Sequence, residues 1–267
     1  MFAKICRIWS ISMGLFFTMD NLTAQQSAED LAQKLANPVS SLISIPFQNN
    51  TDYGIGDHKG TRNTMNIQPV IPMGISKDLN LVARWVQPWI TQYNVTGEGQ
   101  KQNGLSDAVA SAFISPKNSK NGFTWGAGPV FLMPVATDEM LASRQFGIGP
   151  TAVALKQSNG WTAGALINQI WGITGGEGRP KVNQMFLQPF FAYNWKSGAG
   201  LGGTFEYTLN WTSNSATVWF IPYISGVISL GKQKTQLVFG PRFNLAAPKA
   251  AKADWGWRAV VVFLFPK

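Results

Sequence analysis

At 267 residues and 45% hydrophobic content, the chain is long enough for one sizeable domain and is not compositionally disordered. Charged residues make up only 13%, against about 25% in soluble globular proteins, while glycine (27) and tryptophan (11) are abundant. The formal net charge is +9, with a single cysteine and a single histidine, which leaves little material for thiol, metal or histidine chemistry.

The chain opens with the pattern of a secretory leader over residues 1–24. Lys4 and Arg7 form a positive start, Ile8–Phe17 a short apolar stretch, and Leu22-Thr23-Ala24 a small-residue cleavage site. Cys6 sits too early to mark a lipoprotein attachment site. Cleavage after Ala24 removes it, and the mature chain then has no disulfide, thiol nucleophile or thiolate metal site. Losing Lys4, Arg7 and Asp20 takes the net charge from +9 to +8. An exported address argues against nucleic acid as the partner of this basic chain.

Residues 25–38 read as a short amphipathic segment preceding the main domain, 39–267. Ser27 supplies an N-cap, Glu29 and Asp30 an acidic first turn, and Leu31 and Leu35 an apolar stripe, so a helix is expected over Ala28–Ala36 before Asn37-Pro38 stops it. The sequence leaves its placement open: across the near end of the domain, on a membrane surface, or inside a lumen.

From Val39 to Phe265 run about a dozen apolar segments of roughly a dozen residues, each the length of a tilted membrane strand and none approaching the roughly 20 apolar residues of a spanning helix. Their connectors alternate. Brief links fall around Lys77-Asp78, Asn118–Lys120, Ser158-Asn159, Lys196-Ser197 and Lys232-Gln233. Longer ones cover Asn49–Arg62, Gln92–Gly104, Ala136–Ser143, Gly172–Asn183, Thr212–Ala216 and Ala246–Ala253. Short turns at one rim and longer loops at the other indicate an all-β fold, a transmembrane antiparallel up-and-down β-barrel of about 12 strands.

Within the segments the period is two. Met65, Ile67, Pro69, Ile71 and Met73 oppose Asn66 and Gln68, and Trp255, Trp257, Ala259, Val261 and Phe263 oppose Gly256 and Arg258. Apolar-out, polar-in alternation is what a bilayer demands, since a charge on the lipid face costs about 2–4 kcal/mol at midplane. Gln169 breaks the pattern outward, and Trp219, Ile221 and Tyr223 break it inward. Prolines recur inside the runs at Pro69, Pro88, Pro129, Pro150, Pro189, Pro222 and Pro241, most facing lipid and Pro88 facing in. Each removes a ladder donor, so bulges or widened pairing are expected there.

The tryptophans Trp125, Trp161, Trp171, Trp195, Trp211 and Trp255 fall near strand ends and fit interfacial girdles. Lys77, Lys117, Lys120, Lys156, Lys196, Lys232 and Lys234 cluster in or near the brief links, where they solvate one rim and meet lipid headgroups.

An outer-membrane lipid hydrolase or acyltransferase needs a nucleophile, a base and an orienter. The only histidine, His58, lies in a loop among Gly and charged residues, no metal-ligand spacing is present, and Gly175-Gly176-Glu177-Gly178 lacks the Lys-Ser/Thr of a phosphate loop. No enzyme activity and no cofactor or metal is therefore expected. The polar residues assigned inward are Arg84, Asp107, Glu206, Arg242 and Arg258, with Gln68, Gln188 and Asn244. They mark either a solute path or a sealed polar core in which Asp107 and Glu206 neutralise the arginines. Inward arginines favour anionic or aromatic solutes through charge and cation–π contacts.

The blocks AEDLAQKLANPVSSLISIPFQNN (28–50), GTRNTMNIQPVIP (60–72), WGAGPVFLMPVATDE (125–139), FGIGPTAVALKQ (146–157), FLQPFFAYN (186–194) and DWGWRAVVVFLFPK (254–267) carry a resemblance over the whole mature chain. They resemble a family of Gram-negative outer-membrane barrels labelled "transporter", or by a name borrowed from the hormone precursor neuromedin U, and similar to the outer-membrane proteins of meta-pathway phenol degradation. The resemblance implies an outer-membrane location, a barrel, and passage of small aromatic or hydrophobic solutes, and it carries over no functional residues. The end departs from the usual outer-membrane pattern, with Phe265 followed by Pro266-Lys267 where an aromatic last residue is typical. Passive transport of small aromatic, hydrophobic or anionic solutes is the expected function, and a structural or surface-interaction barrel with a sealed lumen the alternative. The expected partners are outer-membrane lipid and an unidentified small solute; oligomeric state is not legible.

Overall fold

The computed structural model describes residues 27–176 and 178–265. The expected leader with Cys6, and Pro266-Lys267, lie outside them. The Ser27 side chain accepts the Asp30 N–H at 3.0 Å, which starts helix α1 (Ala28–Leu35). The Asn37 side chain takes the Val39 N–H at 3.0 Å, and with Pro38 it turns the chain out of the helix.

Twelve antiparallel strands follow: β1 Ile43–Ile55, β2 in two pieces Gly60–Ile67 and Val70–Gly74, β3 Leu79–Tyr93, β4 in two pieces Lys101–Leu105 and Ala108–Pro116, β5 Phe123–Met133 and β6 Gln145–Ser158. The second half holds β7 Trp161–Gly175, β8 Asn183–Asn194, β9 Ala199–Asn210, β10 Ser215–Leu230, β11 Gln233–Ala246 and β12 Trp255–Phe265. Each strand pairs with its chain neighbours, and β1 pairs with β12 from Ile43↔Phe265 to Tyr53↔Trp255, so the sheet closes without a free edge. Asn159-Gly160, both with positive φ, form the two-residue hairpin between β6 and β7.

Phe47, Ile71, Ile114, Ile148, Ile167 and Phe239 lie exposed on the outer face. Such a belt would be intolerable in water and is the requirement for contact with acyl chains. Aromatics bracket it: Tyr53 stacks on Trp255 at 4.6 Å near the loop rim, and Trp161, Tyr193 and Trp195 cluster at 5.0 and 5.3 Å at the short-turn rim. Among the described residues no helix is long and apolar enough to cross a membrane.

Two of the long links are shorter than the sequence suggests. The β1–β2 ladder continues to Ile55 and Gly60, and the β3–β4 ladder to Tyr93 and Lys101. The strands protrude beyond the apolar zone, where polar side chains on both faces erase the alternation while backbone pairing persists.

The prolines act mainly by widening. Beside Pro69, Pro129, Pro150, Pro189 and the facing Pro222 and Pro241, pairing lapses and then resumes in the same register. Only at Pro88 does a bulge form: Val86 pairs with Val109 but Trp89 with Leu105, so residues 106–108 stand opposite Gln87 and Pro88. Side chains take carbonyls left at these places. Gln87 Nε2 donates to Ser106 O at 2.9 Å, Thr151 Oγ1 to Ile167 O at 3.1 Å, and Thr204 Oγ1 to Pro189 O at 3.2 Å. The glycine before two of the prolines has its own reason: a Cβ on Gly149 would lie 1.7 Å from Gln169 O, and on Gly128 1.8 Å from Ala112 O. The facing backbone cannot withdraw, so only glycine fits.

At the loop rim the closing seam is tied a second time. Gly56 N–H donates to Lys252 O at 3.0 Å and Asp254 N–H to Tyr53 O at 2.9 Å. Lys59 pairs with Asp254 at 3.0 Å and Lys249 with Asp57 at 2.8 Å, both exposed and so individually weak.

Two outcomes follow from this architecture. Gly149→Ala should reduce the yield of folded, heat-modifiable barrel and destabilise it by about 1–3 kcal/mol, read by gel shift and urea titration in detergent. The Lys249 ammonium, through its hydrogen bond and its charge, holds the Asp57 carboxyl below its ordinary value, and Asp57 in turn holds Lys249 above its own. A lowered carboxyl makes its tie available above the ordinary value near 4 and loses it as pH falls through the lowered one. The Asp57 carboxyl titration followed by NMR should therefore sit below about 3.9 and return toward it in Lys249→Gln.

Candidate functional site

Period-two alternation puts every second side chain of the ring inside, and the inside changes character along its axis. In the half nearer the short turns Val82, Phe113, Val153, Leu155 and Leu166 enclose Val39. Beside them Val260, Val262 and Leu264 enclose Leu31 and Leu42. Leu31, Ala32, Val39 and Leu42 are each at most 3% exposed, so the segment preceding β1 is folded into the lumen and fills it from that end. Gln157 Nε2 donates to Gln33 O at 2.7 Å and Asn80 Nδ2 to Ser41 Oγ at 2.9 Å, anchoring the inserted segment to the wall. Of the three placements the sequence leaves open, the lumen is the one adopted.

Above this plug lies a cavity of about 470 Å³. One side is charged. It carries Arg62, Arg84, Arg242 and Arg258 against only two carboxylates, Asp52 and Glu206. The other side, on β3, β4, β7 and β8, is uncharged apart from Arg84 but mixed: Val86, Val109, Leu166, Ile170 and Phe186 alternate with Ser111, Asn168, Gln184 and Gln188.

The arginines are held in two ways. Arg258 donates from Nε to Asn50 Oδ1 at 2.7 Å and from Nη2 to Glu206 Oε1 at 2.8 Å. Because β9 and β12 are not neighbours, the second bond crosses the lumen. Arg242 Nε lies 3.0 Å from Asp52 Oδ1, again across an intervening strand, and its guanidinium carbon sits 4.3 Å from the Trp219 ring centroid. That contact is Coulombic only: Arg242 Nε and Nη1 and Asp52 Oδ1 are all buried without a hydrogen-bond partner among the described residues. Glu206 also lies in the fields of Arg242 and Arg84.

Arg62 and Arg84 are positioned by amides instead. Arg62 Nε donates to Gln92 Oε1 at 2.8 Å, with Gln92 Nε2 tied to Gln102 at 3.0 Å, and Arg84 Nη2 donates to Gln68 Oε1 at 2.8 Å. Neither makes a salt bridge among the described residues. An amide fixes a guanidinium without neutralising it, so the cavity keeps two positive charges in excess.

Of the residues singled out from the sequence, Arg84, Glu206, Arg242, Arg258, Gln68 and Gln188 share this cavity. Asn244 is buried nearby with both side-chain polar atoms unpartnered among the described residues. Asp107 is elsewhere. It sits in the β4 bulge and its carboxylate accepts Ala136 N–H at 3.3 Å and Ser143 N–H and Oγ–H at 2.6 Å each, so it orders the β5–β6 loop and pairs with no arginine among the described residues. The bulge, which flips the parity at residues 106–108, is why alternation misplaces it. Asp52 and Arg62 were hidden inside a supposed loop, because Asn49, Thr51, Thr61 and Asn63 on the other face are polar as well and leave no alternation to read. Gln169 does face outward, where it accepts the Trp211 indole N–H at 3.0 Å and donates to Asn183 at 2.8 Å. His58 is exposed at the loop rim. Among the described residues no cluster of three or more His, Cys, Asp or Glu could hold a metal.

No protein-family model and no curated protein sequence matches the chain. Solved structures do. A COG4313 outer membrane channel from Pseudomonas putida F1 superposes with a TM-score of 0.67 at 16% identity, covering 85% of this chain and 96% of that one. The β domain of the Bordetella autotransporter BrkA gives 0.50 at 11% identity, covering 85% and 100%. At these identities the likeness is one of fold.

The inserted segment is held chiefly by its apolar anchors. Leu31→Ala combined with Val39→Ala removes buried contacts worth about 2–5 kcal/mol for the leucine alone. The expected outcome is a still-folded barrel whose ionic conductance in planar bilayers exceeds that of the unaltered protein.

Proposed function

We propose that the protein is an outer-membrane channel for passive entry of small solutes, biased toward anionic and aromatic or hydrophobic ones, and reached through export on the N-terminal leader. The observation that carries this reading is the cavity's uncompensated charge: four guanidiniums face two carboxylates in a space of about 470 Å³. Buried like charges are expensive, and a purely structural core would balance them. The apolar outer belt, the fold shared with the Pseudomonas putida channel and the sequence blocks quoted above support the same reading. The transporter family those blocks resemble is part of this proposal. Lipid on the outside and a small solute inside are the partners it entails, with no role for nucleic acid. No catalytic role is proposed, because His58 stands exposed at the rim and Asp107 is engaged by its loop.

One observation favours a second reading, a sealed structural barrel: the segment around Leu31 and Val39 closes the short-turn half of the lumen. Conductance separates the two. In a salt gradient across a planar bilayer the proposed channel passes chloride in preference to potassium, and Arg62→Gln with Arg84→Gln moves the reversal potential toward zero selectivity. Cation preference, or a folded protein that never conducts, refutes the proposal.

A further inference from the structure

The geometry points to a discrete, saturable binding site in the lumen for a small monocarboxylate with an apolar body, its head anchored by Arg242 and Arg84 and its body laid against the apolar positions of the uncharged wall. This rests on the channel reading and specifies the solute class it would take.

Arg242 is only 5% exposed, yet two of its nitrogens have no hydrogen-bond partner among the described residues. A buried guanidinium with unused donors is costly unless something accepts them. Asp52 neutralises part of the charge without accepting a hydrogen bond, and Trp219 braces the guanidinium plane from 4.3 Å. The group is therefore oriented and largely desolvated, with Nε turned to Asp52 and Nη1 buried, so that an incoming carboxylate meets it at the Nη2 end. Arg84 adds a second guanidinium with no carboxylate of its own, held by the Gln68 amide at 2.8 Å.

The remainder of the wall sets the body of the ligand. A simple inorganic anion would use the guanidiniums and leave the half-buried Val86, Val109 and Phe186 uncovered. Those residues gain only from apolar surface removed from water. At about 470 Å³ the space falls within the 300–1,000 Å³ usual for small-molecule sites and suits one ring or a short chain. Glu206 and Asp52 stand against polycarboxylates, whose further negative charges would meet them at close range. The chemistry selected is one negative head and one apolar body.

The test is a titration of the full-length folded protein in detergent micelles with benzoate, compared with benzyl alcohol, which lacks the charge, and acetate, which lacks the body. Calorimetry should show one saturable benzoate site, with both comparators at least about tenfold weaker. Arg242→Gln should weaken benzoate by a similar factor. If that variant does not fold, Arg84→Gln replaces it, since it leaves no carboxylate orphaned, and Lys196→Gln at the short-turn rim serves as the control. Benzoate binding no tighter than benzyl alcohol, or unchanged by both arginine variants, overturns the site. Passage is read separately in planar bilayers. A benzoate current rising linearly without saturation overturns the site and keeps the channel, whereas saturable binding in micelles without any current supports the site and removes the channel.

Discussion

Hydrocarbon supplies neither a donor nor an acceptor, so a strand facing acyl chains must satisfy every backbone group within its own sheet. The Ile43↔Phe265 to Tyr53↔Trp255 ladder meets this by closing the ring, and prolines recurring within the strands strain it by withholding donors. The ring survives because several of these prolines sit beside a local repair. Register is kept across the widened rows, so these gaps do not themselves change which side chains face inward; the shifts at Phe146/Gly147 and Val218/Trp219 lie beyond them. Thr151 and Thr204 hydroxyls take neighbouring carbonyls at 3.1 and 3.2 Å. Gly128 and Gly149 let a facing carbonyl approach where any side chain would collide. The recurring Gly-Pro pairs thus form a single device, in which the proline opens the ladder and the glycine lets the two strands stay close.

Parity conserved in this way is what makes the lumen asymmetric. β1, β2, β3, β9, β11 and β12 deliver the charged side chains, whereas β4, β7 and β8 deliver only uncharged ones, in which Val109, Leu166, Ile170 and Phe186 alternate with Ser111, Asn168, Gln184 and Gln188. A barrel of this size is narrow enough for inward side chains alone to fill much of it. Here they fill only part, and the chain's own N-terminal segment occupies the short-turn half. That segment is held by ordinary apolar burial around Leu31 and Val39, with two hydrogen bonds to the wall. It is not woven into the sheet, so its removal would cost contacts but would leave the backbone ladder intact.

Much of this was legible in the sequence, because one rule, period two, carries both strand identity and facing. Alternation over Met65–Met73 and Trp255–Phe265 suffices for a barrel of about 12 strands and for the inward facing of Arg84, Arg242 and Arg258. The rule lapsed where its physical cause lapses. Outside the apolar zone both faces of a strand are wet, so Asp52 and Arg62 read as loop although the ladder runs through them. At the β4 bulge one extra residue reverses parity, so Asp107 was assigned to the lumen when it binds the β5–β6 loop. The path of the N-terminal segment was not legible at all. An amphipathic helix has the same apolar stripe whether it meets a bilayer, a rim or the inside of a barrel.

The choice between a sealed core and a solute path turns on how the arginines are held. A core that only needs filling is best served by neutral pairs, because a buried charge left over raises the energy of the folded state. Arg258 follows that logic, with Glu206 at 2.8 Å. Arg62 and Arg84 do not, since Gln92 and Gln68 stand where carboxylates would neutralise them. An amide and a carboxylate accept the same hydrogen bond with similar geometry, so positioning alone does not explain the choice of amide. What differs is the charge that remains afterward, and that retained positive charge is the feature on which the proposed preference for anions rests.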